Sequence, residues 1–181
     1  KKIILHSPET GKRVIQVRMD MDVECVGIIL DGNRRWAKAR SMPKLEGHRA
    51  GMKKFKEIVR YVRDKGIKNL AVYAFSTENW NREPAEVSYL MELFQDSIRH
   101  EMGELGKEGG RARFAGERER SSAELQTAMS DMERETESNS AITIWTLLSY
   151  GGRAEIVAAA NAAAKSGEIT DETLSQNLWT A

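Results

Sequence analysis

The stretch most able to do chemistry is residues 31–36, which read DGNRRW and follow directly on an apolar run that begins at Val26. The run predicts a buried strand, the DG pair a tight turn, and the arginines the first turn of a helix. Guanidinium groups at a helix N-terminus suit a phosphate group, because each can donate paired hydrogen bonds. The carboxylate of Asp31 beside a phosphate favours a hard cation such as Mg²⁺. The stretch alone fits a plain turn and a solvent-exposed helix face equally well.

Two further polar segments follow apolar runs in the same way. Residues 76–82 (STENWNR) come after a run at 67–75, and residues 150–153 (YGGR) come after a run at 141–148. Loops at the carboxyl ends of parallel strands lie along one edge of the sheet, where ligands bind in α/β proteins. We therefore expect these segments and residues 31–36 to form one site. The basic residues expected to converge there are Arg34, Arg35, Lys44, His48, Arg82 and Arg153.

Strand and helix patterns alternate along the chain, and this alternation predicts how the loops are positioned. Strands are expected at 26–30, 67–75, 111–116 and 141–148, and helices at 34–38, about 50–65, 85–105, 121–137, 155–165 and 171–179. The strand–helix–strand order predicts a parallel sheet with right-handed crossovers. The fold class is therefore α/β, a single domain with a mainly parallel β-sheet flanked by helices. Ser121 and Glu124 predict a capping box at the start of the helix at 121–137.

The helix expected at 85–105 carries a wide apolar face that includes Phe94, Ile98 and Met102. Packing against the sheet is one explanation of this face, and lining a long apolar pocket is the other. Cys25, the one cysteine, is expected to pack in the core as part of the first strand.

Composition narrows the class of protein further. The chain has 181 residues, enough for a sizeable core, and its 28 basic and 27 acidic residues give no support for a nucleic-acid partner. A single cysteine excludes an internal disulfide and fits a reducing compartment, so a cytoplasmic location is expected. No run approaches the ~20 apolar residues of a membrane span. Phosphate-binding glycine loops, the nucleophile elbow of serine hydrolases and zinc-ligand spacings are absent from the sequence.

Five motifs in order make the sequence similar to the cis-prenyltransferases, in particular the bacterial undecaprenyl diphosphate synthases. They read GIILDGNRRWAK, EGHRAG, YAFSTENWNR, RARFAG and YGGRAEI, within residues 24–181. The resemblance implies a parallel sheet flanked by helices, a hydrophobic tunnel, a homodimer and Mg²⁺ dependence. It implies elongation of an allylic diphosphate, usually farnesyl diphosphate, by isopentenyl diphosphate with new cis double bonds. Undecaprenyl diphosphate is the favoured product, and this lipid could bring the protein into peripheral contact with a membrane.

The resemblance also assigns roles to individual residues. It implies that Asp31 holds Mg²⁺ on a diphosphate and that Asn79 assists removal of the proton as the new double bond forms. The other substrate-binding positions that it implies are Gly32, Asn33, Arg34, Arg35, Trp36, Lys44, His48, Ser76, Thr77, Glu78, Trp80 and Arg82. The small side chain of Ala74, on a strand that would face the tunnel, permits a long product.

The sequence departs from the family pattern in several places. Cys25 stands where a histidine is common, Lys44 where many relatives have arginine, and Ser149 where asparagine is common. Relatives continue past the equivalent of Ala181 with a segment of the form R-x-[SG]-G-E-x-R-[LI]-S-N-F, which supplies the isopentenyl diphosphate site and a Mg²⁺ ligand across the dimer. We therefore expect a chain that ends here to bind farnesyl diphosphate but to condense isopentenyl diphosphate poorly.

The expected domain organisation is residues 25–181 as a cis-prenyltransferase domain that lacks this C-terminal segment, preceded by residues 1–24. The latter could be a native extension, a small hairpin or an added sequence. Two other functions stay open. One is a non-catalytic subunit of a heteromeric prenyltransferase, although such subunits usually lose the D-G-N-x-R loop that is intact here. The other is an unrelated phosphate-ester enzyme on an α/β scaffold.

Overall fold

Four parallel strands form the central sheet of the computed structural model, which describes residues 23–181. They are β1 (Cys25–Ile29), β2 (Asn69–Ser76), β3 (Gly110–Ala115) and β4 (Ile142–Tyr150), in the spatial order β1-β2-β4-β3. All three pairings are parallel, so the predicted α/β class with a parallel sheet is confirmed. The interpretation of residues 1–22 concerns residues outside the described range.

Helices connect and flank these strands. They are α1 (Asn33–Lys38), α2 (Lys44–Asp64), α3 (Pro84–Ser97), α4 (Gly103–Lys107), α5 (Ala123–Glu135), α6 (Gly152–Ser166) and α7 (Asp171–Gln176). Short 3₁₀ helices span Thr77–Asn81 and Arg118–Arg120, and a π-helical turn at Ile98–Met102 joins α3 to α4. The single helix predicted at 85–105 is thus two helices joined by a wider turn. No helix among residues 23–181 is both long and apolar enough to cross a membrane.

Helix α2 begins at Lys44, several residues before the predicted start, because Gly47 belongs to the helix and not to a loop. A Cβ atom on Gly47 would lie 2.1 Å from the carbonyl oxygen of Asn33. One on Gly51 would lie 2.6 Å from the side-chain oxygen of Asn33. The two glycines therefore let α2 approach α1 closely, which fixes the helix that carries His48 against the loop that carries Asp31.

The core lies on one face of the sheet, under α2, α3 and α5. Leu70, Val72, Ile142 and Ile144 supply its sheet side and are almost completely buried. The prediction that Cys25 packs in the core is wrong, because β1 is an edge strand and Cys25 is exposed on its other face.

Two local predictions differ in outcome. Gly66 ends α2 with a φ of 77°, the left-handed conformation expected of a C-cap glycine. The predicted capping box between Ser121 and Glu124 is wrong. The N-cap of α5 is Ser122, whose side chain accepts a hydrogen bond from the backbone N–H of Leu125.

Candidate active site

The loops after β1 and β2 enclose an open cleft of about 490 Å³ at the carboxyl edge of the sheet. Its lining consists of Leu30, Asp31, Gly32, Asn33, Arg34, Arg35, Lys38, Lys44, His48 and Arg82. A second cavity of about 210 Å³ shares Asp31 and His48 with the cleft and adds Ser76 and Asn79. The fold thus brings together most of the predicted site residues. Arg153 is exposed at the start of α6 and lines neither cavity.

Two local contacts orient the exposed carboxylate of Asp31. Its Oδ1 accepts a hydrogen bond from the backbone N–H of Gly32 at 2.5 Å, and its Oδ2 accepts one from Nη2 of Arg35 at 2.9 Å. The φ of Gly32 is 87°, which glycine adopts without strain. Within residues 23–181, no three His, Cys, Asp or Glu side chains are grouped as a metal site. A cation at Asp31 would therefore take its other ligands from a bound substrate and from water.

The buried carboxylate of Glu86 organises the cationic side of the cleft. Nζ of Lys44 donates to its Oε2 at 3.0 Å, and Nη1 of Arg82 donates to its Oε1 at 3.1 Å. Nη1 of Arg34 and Nε2 of His48 lie 3.9 and 3.4 Å from the same Oε1. The side chain of Glu86 is 2% exposed, whereas those of Arg34 and Lys44 are about half exposed. One anion on α3 therefore gathers side chains from α1, α2 and the loop after β2.

Opposing effects determine the ionisation of Glu86. Burial, the largest of them, raises the pKa of Glu86, but the hydrogen bond from Lys44 and the charges of Arg34, Lys44 and Arg82 together outweigh it. The pKa of Glu86 therefore lies below its ordinary value, and the group is an anion at neutral pH.

His48 combines burial with an unused ring nitrogen. Burial, the largest effect, lowers the pKa of His48, the contact with Glu86 opposes this, and the charges of Arg82 and Arg34 add to the lowering. The ring is therefore neutral at pH 7. Its buried Nε2 lies 3.4 Å from Oε1 of Glu86 and has no hydrogen-bond partner among the described residues. A buried ring nitrogen that lines a cleft is available to a ligand.

A reciprocal capping interaction fixes the amide of Asn79. The side chain of Ser76 accepts from the backbone N–H of Asn79, and Oδ1 of Asn79 accepts from the backbone N–H of Ser76 at 3.2 Å. The backbone N–H of Arg82 in turn donates to the carbonyl of Asn79 at 3.1 Å. One short turn therefore sets the positions of both Asn79 and Arg82.

The remaining predicted residues lie around the two cavities and do not line them. Trp36 is 39% exposed on α1, and the guanidinium of Arg40 lies 4.3 Å from its ring centroid. Thr77 lies beside Gly151 in the loop after β4. The carboxylate of Glu78 accepts hydrogen bonds from the backbone N–H of Glu78 itself and from the side chain of Ser76, and these lower the pKa of Glu78. The indole of Trp80 points away from the cleft, towards β4, where it donates a hydrogen bond.

A small apolar cavity of about 30 Å³ lies next to the polar ones, between the sheet and α3. Leu30, Met52, Ala74 and Phe94 line both this cavity and the one that contains Asn79. The walls are therefore continuous from the charged cleft into an apolar space. Phe94 also packs in the core, as the first explanation of the apolar face of α3 predicts. That this face lines a long apolar pocket stays a prediction.

The sequence analysis missed Glu86. A signal was present, because Glu86 lies four residues after Arg82 and in the first turn of a helix begun by Pro84, where an acidic residue is favourable. That pattern describes many solvent-exposed ion pairs, however, and does not predict a buried anion with four basic neighbours.

Comparisons with known proteins agree with this architecture. Residues 29–181 match a family model described as putative undecaprenyl diphosphate synthase. The chain is 42% identical over 135 residues to the ditrans,polycis-undecaprenyl-diphosphate synthase ((2E,6E)-farnesyl-diphosphate specific) of Legionella pneumophila, covering 75% of this chain and 57% of that protein. It is 40% identical over 158 residues to an isoprenyl transferase of Chromobacterium violaceum, covering 86% and 63%.

A solved structure gives the same result. The crystal structure of lavandulyl diphosphate synthase from Lavandula x intermedia, in complex with dimethylallyl diphosphate, superposes with a TM-score of 0.83 at 34% identity, covering 87% of this chain and 71% of the other. The chain spans about three fifths of the length of the curated relatives named above. Because the family model matches most of the length of this chain, the chain belongs to the undecaprenyl diphosphate synthase family of cis-prenyltransferases.

Proposed function

We propose that this chain is the substrate-binding part, including residues 25–181, of a Mg²⁺-dependent cis-prenyltransferase. The substrates would be an allylic diphosphate, with farnesyl diphosphate favoured, and isopentenyl diphosphate. The product would be a poly-cis polyprenyl diphosphate, with undecaprenyl diphosphate favoured.

One observation carries the proposal: a cationic cleft with a continuous wall into an apolar cavity. An allylic diphosphate has a dianionic or trianionic head and an apolar tail, so it needs these two environments side by side. Arg34, Lys44, His48 and Arg82 line the head site, and Ala74 belongs to the wall that the two cavities share. A phosphate-ester enzyme that acts on small polar molecules would have no use for the apolar space.

The residues present fit a Mg²⁺ ion only together with a diphosphate. Among residues 23–181, Asp31 is the single carboxylate that lines the cleft, and its partners are a backbone N–H and the guanidinium of Arg35. One carboxylate plus substrate phosphate oxygens and water is how proteins usually hold Mg²⁺. When bound, the ion would neutralise part of the charge that develops on the leaving diphosphate.

The protein's own groups would bind and orient this leaving group. Guanidinium and ammonium groups that already face the cleft can stabilise its developing charge with little rearrangement. The neutral His48 can donate a hydrogen bond to the diphosphate through Nε2, the nitrogen that lacks a hydrogen-bond partner among residues 23–181, when Nε2 carries the ring proton. Asn79 would orient the group that loses a proton, while the departing diphosphate accepts much of that proton, because an amide is a weak base.

The proposal also includes a homodimer and a cytoplasmic enzyme in peripheral contact with a membrane. A very long polyprenyl chain partitions into a bilayer, which would bring the enzyme to its surface while it releases product. Ile156 and Val157, exposed on α6, are candidate contacts for a second subunit. Light scattering in solution tests dimerisation, and flotation with vesicles before and after turnover tests the membrane contact.

Calorimetric titration with a non-ionisable thio analogue of farnesyl diphosphate, with and without Mg²⁺, tests the head and tail sites. We expect micromolar binding that weakens when inorganic diphosphate competes and when Mg²⁺ is chelated.

Incubation with farnesyl diphosphate and labelled isopentenyl diphosphate, followed by product sizing, tests the reaction. Binding of neither the analogue nor dimethylallyl diphosphate would refute the proposal. Binding with little condensation is the result expected of the 181-residue chain by itself, whereas condensation that appears only after a catalytic partner chain is added would indicate a non-catalytic subunit.

A further inference from the structure

Ser149 has a backbone conformation that is rare for a residue with a side chain. Its φ is 53°, in the left-handed region, and Ser41 is the only other non-glycine residue between 23 and 181 with a positive φ. Ser41 is exposed in a turn, whereas Ser149 is 1% exposed at the end of β4. Such a conformation persists only where the surroundings over-determine it, and it is found most often at functional sites.

The pairing of β4 with β2 is irregular at this point. The neighbouring pairs are Tyr73 with Leu147, Phe75 with Leu148, and Ser76 with Tyr150. Each strand therefore has one residue without a partner in the ladder, Ala74 in β2 and Ser149 in β4. Bulges of this kind redirect a side chain next to the bulge.

The loop after β3 holds Ser149 in this conformation. The backbone N–H of Glu117 donates to the carbonyl of Ser149 at 3.1 Å. Gly116, with a φ of 138°, approaches so closely that a Cβ atom there would lie 1.8 Å from the carbonyl oxygen of Leu148. The strained residue is therefore held from outside its own strand.

The redirected hydroxyl of Ser149 meets Trp80. Nε1 of Trp80 donates to Oγ of Ser149 at 2.8 Å. The indole also packs edge-to-face on Phe75, with ring centroids 5.2 Å apart, and the guanidinium of Arg120 lies 4.9 Å from its centroid. Among residues 23–181, the contact with Ser149 is the one hydrogen bond that the indole makes, and it fixes the rotation of the ring.

Trp80 lies between Asn79 and Arg82 in the turn that carries both of them to the cleft. We propose that Ser149 is a positioning residue: its hydroxyl anchors Trp80 and thereby sets the placement of the Asn79 amide and the Arg82 guanidinium. The part of this inference that concerns ligand affinity rests on the proposed function. The part that concerns the turn itself does not.

The test compares Ser149→Gly and Ser149→Ala with the wild-type 181-residue chain. Both remove the hydroxyl, but glycine also relieves the left-handed strain, so Ser149→Gly should keep its melting temperature within about 3 °C. In both variants we expect the indole N–H resonance of Trp80 and the side-chain amide resonances of Asn79 to shift. The Kd for the thio analogue of farnesyl diphosphate should rise roughly three- to ten-fold, because Arg82 is less well ordered.

Trp80→Phe and the double variant with Ser149→Ala complete the test. If Ser149 acts through Trp80, the double variant binds the analogue no more weakly than Trp80→Phe alone. Ser41→Ala, at the other left-handed serine, is the matched control and should change none of these quantities. Unshifted Asn79 resonances in Ser149→Gly, or additive losses in the double variant, would overturn the inference. If the wild-type chain does not bind the analogue, the proposed function fails. The role of Ser149 in positioning the turn is then tested by the Asn79 resonances of the variants alone.

Discussion

Substitution of Glu86 by glutamine is the sharpest perturbation of the cleft, because it removes one charge and almost no volume. The carboxylate is 2% exposed and lies between 3.0 and 3.9 Å from four basic side chains. Removal of one partner from a buried ion pair typically costs about 3–5 kcal/mol. Arg34 and Lys44 are about half exposed and can regain water, so we expect a lower cost of about 2 kcal/mol. For a domain of this size, that corresponds to a melting temperature about 4–8 °C lower.

Ligand binding should also weaken in Glu86→Gln. The lost anion no longer orders Arg34, Lys44 and Arg82, and each side chain that must be ordered on binding costs about 0.5–1.5 kcal/mol. The cleft becomes more positive at the same time, which partly offsets this loss. We expect a Kd for the thio analogue of farnesyl diphosphate that is roughly ten-fold higher, equivalent to about 1.4 kcal/mol. The pKa of His48 should fall further below its ordinary value, because Glu86 is the group that raises it.

Scanning calorimetry, calorimetric titration and an NMR pH titration of His48 measure these three quantities. Glu92→Gln, an exposed glutamate on the same helix, is the matched control and should change none of them. Tighter binding of the analogue by Glu86→Gln would refute the reasoning, since it would mean that Glu86 mainly repels the diphosphate. An unchanged melting temperature would equally contradict the assigned role.

Three other predictions follow from single sites. Asp31→Ala should shift the melting temperature by less than about 2 °C, because the carboxylate is exposed, yet abolish the effect of Mg²⁺ on binding of the analogue, and a retained Mg²⁺ effect would refute the assignment. Ala74→Leu should narrow the apolar cavity, so binding of the farnesyl analogue weakens while inorganic diphosphate binds as before; equal losses for both ligands would mean a general disturbance. Hydrogen bonds from Arg60 and Arg63 lower the pKa of Glu108 to about 2. Its contribution to stability is therefore complete above about pH 4.5 and lost as the pH falls towards 2, so the melting-temperature gap between wild type and Glu108→Gln should close over that range.

The sequence determined much of the fold because periodicity and chain order are local properties. Apolar runs alternating with helical patterns predicted four parallel strands, and the carboxyl ends of those strands predicted where the polar loops meet. Residues 31–36 and 76–82 do lie on neighbouring strands at one edge of the sheet. The motifs of these segments were also sufficient to indicate the family.

Other features of the site depend on how elements that are far apart in the sequence pack against each other, so local sequence patterns do not predict them. The local pattern around Glu86 is common to many solvent-exposed ion pairs, and its role follows from α1, α2 and the loop after β2 placing basic side chains around it. From the local sequence, Gly47 is predicted to lie in a loop. In the structure it belongs to α2, where the close approach of α2 to α1 leaves no room for a side chain. The apolar pattern around Cys25 predicts that this residue is buried, yet it is exposed because β1 lies at an edge of the sheet. Only the order of the strands shows that β1 is an edge strand. The conformation of Ser149 depends on a bulge between two strands far apart in sequence, and burial, charge pairing and register of this kind are properties of the assembled structure.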